Sequence, residues 1–158
     1  MKNTFKLLHL IGLVMFLGSI LSFIAINKFV GANPDATLIF HQRQFVSAIT
    51  WTLTIPGMWI LVIAGGLTAL TGKYRLIEHR WLIAKLVLAA LILVNGTFFI
   101  PPLVAQVTSI ATQGAIQGQL LPTYIPLKVK EDMYGIANFI MILIAIILAI
   151  FRPSFRRD

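Results

Sequence analysis

Charged residues divide this chain into four long apolar stretches. No Asp, Glu, Lys or Arg occurs within residues 7–27, 44–72, 86–127 and 133–151. A helix crosses the hydrocarbon core of a bilayer in about 20 apolar residues, and each stretch is of that length or longer. The pattern therefore predicts an all-α integral membrane protein whose four helices form an up-down-up-down bundle.

Turn residues and charges set the limits of the predicted helices. The expected ranges are 5–27, 44–71, 81–102 and 133–151, all within a single domain covering residues 1–158. Pro56, followed by Gly57, predicts a kink inside the second helix, because proline removes a backbone hydrogen bond. Pro101 and Pro102 come about 30 Å along the third helix, and a helical or interfacial continuation to about residue 118 is expected beyond them.

The basic residues are unevenly divided between the two ends of these helices. Of the 13 Lys and Arg residues, nine lie at the end that carries the N-terminus and four at the other. Because cytoplasmic loops of membrane proteins are enriched in Lys and Arg, both termini are expected in the cytoplasm. The first apolar stretch exceeds the roughly 7–15 residues of a signal-peptide core, so we expect it to be retained as a helix.

The amino-acid composition limits which binding partners and which kinds of metal and redox chemistry are possible. Hydrophobic residues make up 58% of the chain and charged residues 11%, which is far fewer charges than a soluble domain carries. The net charge of +8 is explained by contacts with anionic membrane lipids, and nucleic acid is not an expected partner. Since the chain has no cysteine, disulfides, thiolate metal ligands and iron–sulfur clusters are excluded, and redox chemistry would need a bound cofactor.

His9 and Lys85 form the most informative pair of polar residues inside the predicted helices. Each lies about one turn from the cytoplasmic end of its helix, so the two side chains share a depth. An imidazole can ligate haem iron, and an ammonium can bind a haem propionate or act as a second ligand. Gly12 and Phe16 follow on the stripe of His9, where a glycine leaves room for a flat ring and an aromatic side chain forms its wall.

Each of these residues also has an ordinary structural explanation. A His or Lys one turn inside a membrane helix can extend its polar group to the headgroups, and glycines such as Gly12 and Gly18 let membrane helices approach closely. His79, on the loop before the third helix, is either a second ligand beside His9 or a solvated surface residue. His41 lies at the opposite end, too far from His9 to share one cofactor with it.

Other polar residues in or beside the apolar stretches have structural explanations. Asn95 and Asn138 are expected to form interhelical hydrogen bonds. Glu131 and Asp132 precede the fourth predicted helix, where acidic residues complement the helix dipole. No pair of carboxylates lies within a predicted helix, which argues against an acid-driven proton transporter.

Short motifs along the chain resemble a bacterial superfamily of four-helix membrane proteins. Residues 6–12 (Lys-Leu-Leu-His-Leu-Ile-Gly), with Phe-Leu-Gly at 16–18, look like its first helix. The superfamily includes haem-b-containing membrane protoporphyrinogen oxidases, copper-resistance D type proteins and predicted integral membrane proteins of unknown function. Residues 81–86 (Trp-Leu-Ile-Ala-Lys-Leu) resemble the opening of the oxidases' third helix. Residues 150–153 (Ile-Phe-Arg-Pro) resemble the basic residue and proline that end the last helix throughout the group. Residues 52–57 (Thr-Leu-Thr-Ile-Pro-Gly) are most similar to the unknown-function family.

The resemblance implies a location, a cofactor and site residues. The location is the bacterial inner membrane, and the cofactor is haem b or a porphyrin. Its oxidase members rely on a first-helix His and a third-helix Lys, which correspond to His9 and Lys85 here. His9 would then be the metal ligand to haem iron, and Lys85 would bind a carboxylate and be the candidate catalytic residue of a haem-dependent oxidoreductase. Residues 26–29 (Ile-Asn-Lys-Phe) replace a basic and aromatic run of the oxidases, and their acidic-Pro signature is missing before the last helix. These departures favour the unknown-function family.

Two other functions are compatible with the sequence. Polar residues interrupt the apolar positions of 103–130, namely Gln106, Gln113, Gln117 and Tyr124. Such a segment can contact a membrane partner protein or a second copy of the chain, which would make the protein a non-enzymatic scaffold or assembly subunit. Copper uptake or tolerance rests on the copper-resistance relatives alone, since the five Met residues form no cluster that suits a copper path.

Overall fold

The computed structural model describes residues 2–30, 35–70 and 80–151, and these residues are all-helical. The helices are α1 (Lys2–Val30), α2 (Ala36–Ile49), α3 (Ile55–Leu70), α4 (Arg80–Val94), α5 (Ile100–Gln117) and α6 (Tyr124–Phe151). A first π-helical turn, Thr50–Thr54, joins α2 to α3, and a second, Asn95–Phe99, joins α4 to α5.

Four helical stretches of the described chain are long and apolar enough to cross a membrane. They are Asn3–Val30, Ala36–Leu70, Arg80–Gln117 and Tyr124–Phe151, which we number spans 1 to 4. The predicted all-helical architecture with four such stretches is confirmed, and it is consistent with a four-helix bundle. The up-down-up-down order and the cytoplasmic position of the termini stay predictions.

Span 2 begins well before its apolar run. Its first helical residue is Ala36 rather than residue 44, because the side chain of Asp35 accepts hydrogen bonds from the N–H groups of Thr37 and Leu38. A carboxylate in this N-cap position satisfies backbone donors that the first turn would otherwise leave unpaired.

Spans 3 and 4 also extend beyond their predicted limits. The helix of span 3 continues past both prolines to Gln117, the extension that the sequence left open. Gly118 ends it in the left-handed conformation, with a φ of 68°, which glycine adopts without strain. Span 4 begins at Tyr124 rather than at residue 133, so charged residues that were expected before the helix lie inside it.

Each π-helical turn is followed by a proline at the same spacing. In both turns, the residue after the turn donates its N–H to the carbonyl of the first residue of the turn, five positions back. The next residue is Pro56 in one case and Pro101 in the other. A proline has no N–H to donate and clashes with the preceding turn of a regular α-helix, so the wider π turn accommodates it within a continuous helix.

Two clusters of buried side chains hold the described helices together. One cluster combines a residue from each span, namely Phe16, Met58, Ile92 and Ile142. The other joins α2, α5 and the start of α6 through Ile39, Val107, Ala111 and Tyr124. Lipid tails are as apolar as these side chains, so close packing rather than removal from water favours the association of such helices.

Glycines allow α1 to pack directly on the backbone of α3. A Cβ atom at Gly12 would lie 2.5 Å from the backbone nitrogen of Leu61. A Cβ atom at Gly57 would lie 2.7 Å from the Cβ of Met15. Any larger residue at either position would force the helices apart.

Hydrogen bonds fix the register of span 1 against span 2. Going along α1, the bonded pairs are His9 with Leu61, Ser19 with Thr54, and Asn27 with Gln42. The partner number falls as the α1 number rises, so these two spans are antiparallel. We refer below to the His9 end and the Arg43 end of the molecule.

Candidate functional site

His9 lies on the face of α1 that packs against α3, and it is half-buried. Its Nδ1 is 2.8 Å from the carbonyl oxygen of Leu61. A carbonyl oxygen only accepts hydrogen bonds, so Nδ1 is the donor and carries a proton. In the neutral ring, Nε2 then keeps its lone pair. Metal-binding histidines are commonly held in this way, with one ring nitrogen on a backbone carbonyl and the other free for the metal.

Gly65 provides the space that the His9 ring occupies. A Cβ atom at Gly65 would lie 2.8 Å from both Nδ1 and Cε1 of His9. The sequence pattern did not predict a role for Gly65 at the site. The adjacent pair Gly65 and Gly66 was a signal, since two glycines inside an apolar helix indicate a close approach, but the sequence alone does not say what approaches.

Lys85 lies on α4, half-buried, at the same end of the molecule as His9. Its ammonium group is close enough to the His9 imidazole for its charge to act on it. Two of the four predicted site residues, His9 and Lys85, thus lie at the same end of the molecule.

The structure places Gly12 and Phe16 in positions where protein already fills the space. Gly12 lies against the backbone of α3, so close helix packing, the alternative explanation for this glycine, accounts for it. The Phe16 side chain is 1% exposed and packs with Met58 and Ile92 in the first cluster. Gly12 and Phe16 therefore do not line a space that a flat ring could occupy.

The two other histidines do not join His9 in the described chain. His79 lies outside the described residues. His41 is exposed near the Arg43 end, where its ring contacts that of Phe40 at a centroid distance of 5.2 Å. It borders an apolar cleft of about 460 Å³ between α1 and α2, which is also lined by Ala25, Ile26, Phe29, Val30, Leu38, Gln42 and Phe45.

A buried ion pair joins span 2 to span 4. The Arg43 side chain is 0% exposed, and its Nη1 and Nη2 donate to the two carboxylate oxygens of Glu131 at 3.0 and 2.7 Å. Nη2 also donates to the Val104 carbonyl of span 3 at 3.4 Å. This bidentate geometry is the strong form of an arginine–carboxylate contact.

The role predicted for Glu131 and Asp132 at a helix N-terminus is corrected by this arrangement. Because α6 begins at Tyr124, both carboxylates lie beyond its first turn. Glu131 instead pairs with Arg43, and Asp132 pairs with Lys128 on the same helix. The charge on each carboxylate is therefore balanced by a specific basic side chain.

Polar side chains also meet across the middle of the spans. Asn95 donates through Nδ2 to Oδ1 of Asn138 at 2.8 Å and to the Tyr134 carbonyl at 3.0 Å. The hydroxyl of Thr54 donates to that of Ser19 at 3.0 Å. The interhelical role predicted for Asn95 and Asn138 is confirmed. The two donor residues, Asn95 and Thr54, both belong to the π-helical turns.

The described chain contains no cluster of metal-ligating His, Asp and Glu side chains. Within residues 2–30, 35–70 and 80–151, no three of these side chains come together around one point.

No protein-family model, curated protein or solved structure matches the chain. The resemblance to the bacterial four-helix superfamily therefore rests on the short motifs around His9, Lys85 and Pro56 and at residues 150–153.

Proposed function

We propose that this chain is a bacterial inner-membrane protein that binds b-type haem or a related porphyrin through His9 and Lys85 and takes part in redox chemistry. One observation carries the proposal: the 2.8 Å contact between His9 Nδ1 and the Leu61 carbonyl, which leaves Nε2 as the available ligand atom. Lys85 adds a positive charge nearby, which suits a propionate carboxylate.

The ligand chemistry and the charge both fit such a group. His9 would hold the iron through Nε2, and Lys85 would hold a carboxylate of the ring. Bound haem would supply one-electron transfer. The proposed site leaves out Gly12 and Phe16, whose surroundings are filled by α3 and the core, and includes the turn of α3 that holds His9.

The distribution of basic residues supports a cytoplasmic position for this site. In the predicted topology, nine of the 13 Lys and Arg residues lie on the side of the N-terminus. The positive-inside rule then places both termini, His9 and Lys85 on the cytoplasmic side of the inner membrane. Electrons would enter or leave the site near that face.

An absorption spectrum of the purified protein tests the proposal. The chain is expressed with haem supplied, and the wild type is expected to show a Soret band. His9→Ala should remove the band, while the matched control His41→Ala should retain it, because His41 is exposed near the other end of the molecule. Lys85→Ala should weaken haem retention about tenfold or more, the usual effect of losing a hydrogen bond to a charged group. A wild-type protein without a Soret band would refute the proposal.

A second candidate is a scaffold or assembly subunit, and an exposed face of α5 favours it. Gln106, Gln113, Ile116 and Gln117 are all exposed there, with Ile116 at 82%. The sequence predicted that Tyr124 also belongs to this surface. In the structure its side chain is 4% exposed and belongs to the second cluster. The proposed contact surface therefore consists of the α5 residues alone.

Point substitutions test this candidate more sharply than replacement of the whole segment, which would also remove the buried Val107 and Ala111. Ile116→Glu should abolish co-purification of a stoichiometric partner. Ile125→Glu, at another exposed isoleucine, should leave it intact. A partner that persists in Ile116→Glu, or a wild type that purifies alone and monomeric, would exclude the scaffold function.

A further inference from the structure

Two adjacent glycines of α3 have very different surroundings. The three atoms nearest to a Cβ placed on Gly65 all belong to His9, namely Nδ1 and Cε1 at 2.8 Å and Nε2 at 3.9 Å. Apart from Gly66 itself, its two chain neighbours and the backbone of its own helix, no atom of the described chain lies within 4 Å of a Cβ placed on Gly66. Glycine is less favourable than alanine inside a helix. At Gly65, but not at Gly66, an alanine would meet a neighbouring group, the imidazole ring of His9.

The His9 ring is held by one turn of α3 at two points. Leu61 and Gly65 are four residues apart and so lie on the same face of that helix. The ring lies against the bare backbone of Gly65, while its Nδ1–H donates to the carbonyl of Leu61. The hydrogen bond sets which nitrogen carries the proton, and the contact with Gly65 sets how close the ring can come to α3.

We propose that Gly65 is a positioning residue for His9. The turn Leu61–Gly65 forms a cradle that fixes the Nδ1–H tautomer and turns Nε2 away from the Leu61 carbonyl, leaving it available as a ligand atom. The use of Nε2 as a haem ligand rests on the proposed function. The cradle itself needs no ligand and can be tested without one.

Nitrogen NMR of the histidine side chains, recorded on the full-length protein without added haem, tests the cradle. The chain has three histidines, so His41→Gln and His79→Gln identify the signals of His9. The wild type and Gly66→Ala should both show His9 fixed as the Nδ1–H tautomer. Gly65→Ala should displace the ring, and the His9 signal should shift to the average of two exchanging tautomers. An unchanged His9 signal in Gly65→Ala would overturn the proposal.

A double-mutant comparison covers the case in which Gly65→Ala is poorly folded. The clash predicted for this variant is with the ring of His9, not with backbone, so removing the ring should relieve it. Gly65→Ala is expected to lower the melting temperature relative to Gly66→Ala in the wild type. In a His9→Ala background, the two alanine variants should melt alike. An equal loss with and without the ring would show that Gly65 serves packing alone and would overturn the cradle.

The failure of the cradle and the failure of haem binding give different results. If no variant shows a Soret band but Gly65→Ala still changes the His9 tautomer, the cradle stands and the haem proposal fails. If the wild type binds haem and Gly65→Ala changes neither the Soret band nor the tautomer, the haem proposal stands and the cradle fails.

Discussion

At the scale of single residues, the position of the His9 ring depends on how α1 packs against α3. A His and a Lys about one turn inside two apolar helices could be paired by counting residues, because depth in a regular helix follows from 1.5 Å per residue. The packing of Gly12 and the cradle of Gly65 depend instead on which face of α1 meets which face of α3. That register is set by close packing of two helices that are apolar on all sides, so no amphipathic pattern reveals it.

Gly12 and Gly18 provide a matched test of this packing. Gly12→Ala would place a methyl group against the backbone of Leu61, and overpacking of this kind costs about 1–3 kcal/mol. Gly18→Ala meets no atom of the described chain within 4 Å and should be neutral or stabilising by up to about 1 kcal/mol, the helix propensity gain of alanine. Unfolding of both variants in detergent measures the difference. Equal stabilities would contradict the close contact of α1 with α3.

At the scale of helices, the apolar runs located the spans but not their ends. Asp35 is a recognisable N-cap residue, yet the charge of Arg43 hid the early start of α2, because a charge near a membrane helix normally marks its end. Inside the fold this charge is neutralised, since Arg43 pairs with Glu131, a residue 88 positions further along the chain. Similarly, Pro56 indicated a kink, while the π-helical turns that accommodate Pro56 and Pro101 have no sequence signature of their own.

The Arg43–Glu131 pair makes a strong prediction at this scale. Arg43→Met leaves the Glu131 carboxylate buried without its partner and should destabilise the protein by about 3–5 kcal/mol. The double variant Arg43→Met with Glu131→Leu should recover most of that loss, because no unpaired charge remains.

Lys128→Met is the control for this pair. It breaks the Lys128–Asp132 pair, in which the Asp132 side chain is 44% exposed, so the loss should be no more than about 1 kcal/mol. Unfolding free energies of all the variants provide the comparison. A double variant as unstable as Arg43→Met, or a Lys128→Met variant that is equally damaged, would contradict the assigned role of the buried pair.

At the scale of the whole molecule, composition was sufficient to establish four helices able to cross a membrane. Their orientation follows from charge alone and remains a prediction. Buried side chains from all four spans meet around Phe16 and Met58, and a second cluster around Val107 joins α2 to α5 and α6. These clusters connect residues far apart in the chain, which explains why the sequence placed the helices but not the contacts between them.

The absence of cysteine makes the orientation directly measurable. A single cysteine introduced as Gln113→Cys, on the exposed face of α5, should react with a membrane-impermeant maleimide in intact cells. A cysteine introduced as Thr4→Cys, an exposed position near the start of α1, should react only after the cells are opened. The reverse pattern would place the termini outside and would move the His9 end to the other face of the membrane.

The central claim is that Nε2 of His9 ligates a haem iron, and pulsed electron paramagnetic resonance tests it most directly. The protein is produced with ¹⁵N-labelled histidine and haem, and the ferric form is measured. We expect a hyperfine coupling from a histidine ¹⁵N nucleus in the wild type and in His41→Ala, and its loss in His9→Ala. A protein that binds no haem, or haem iron that shows no coupling to a histidine nitrogen, would contradict the account.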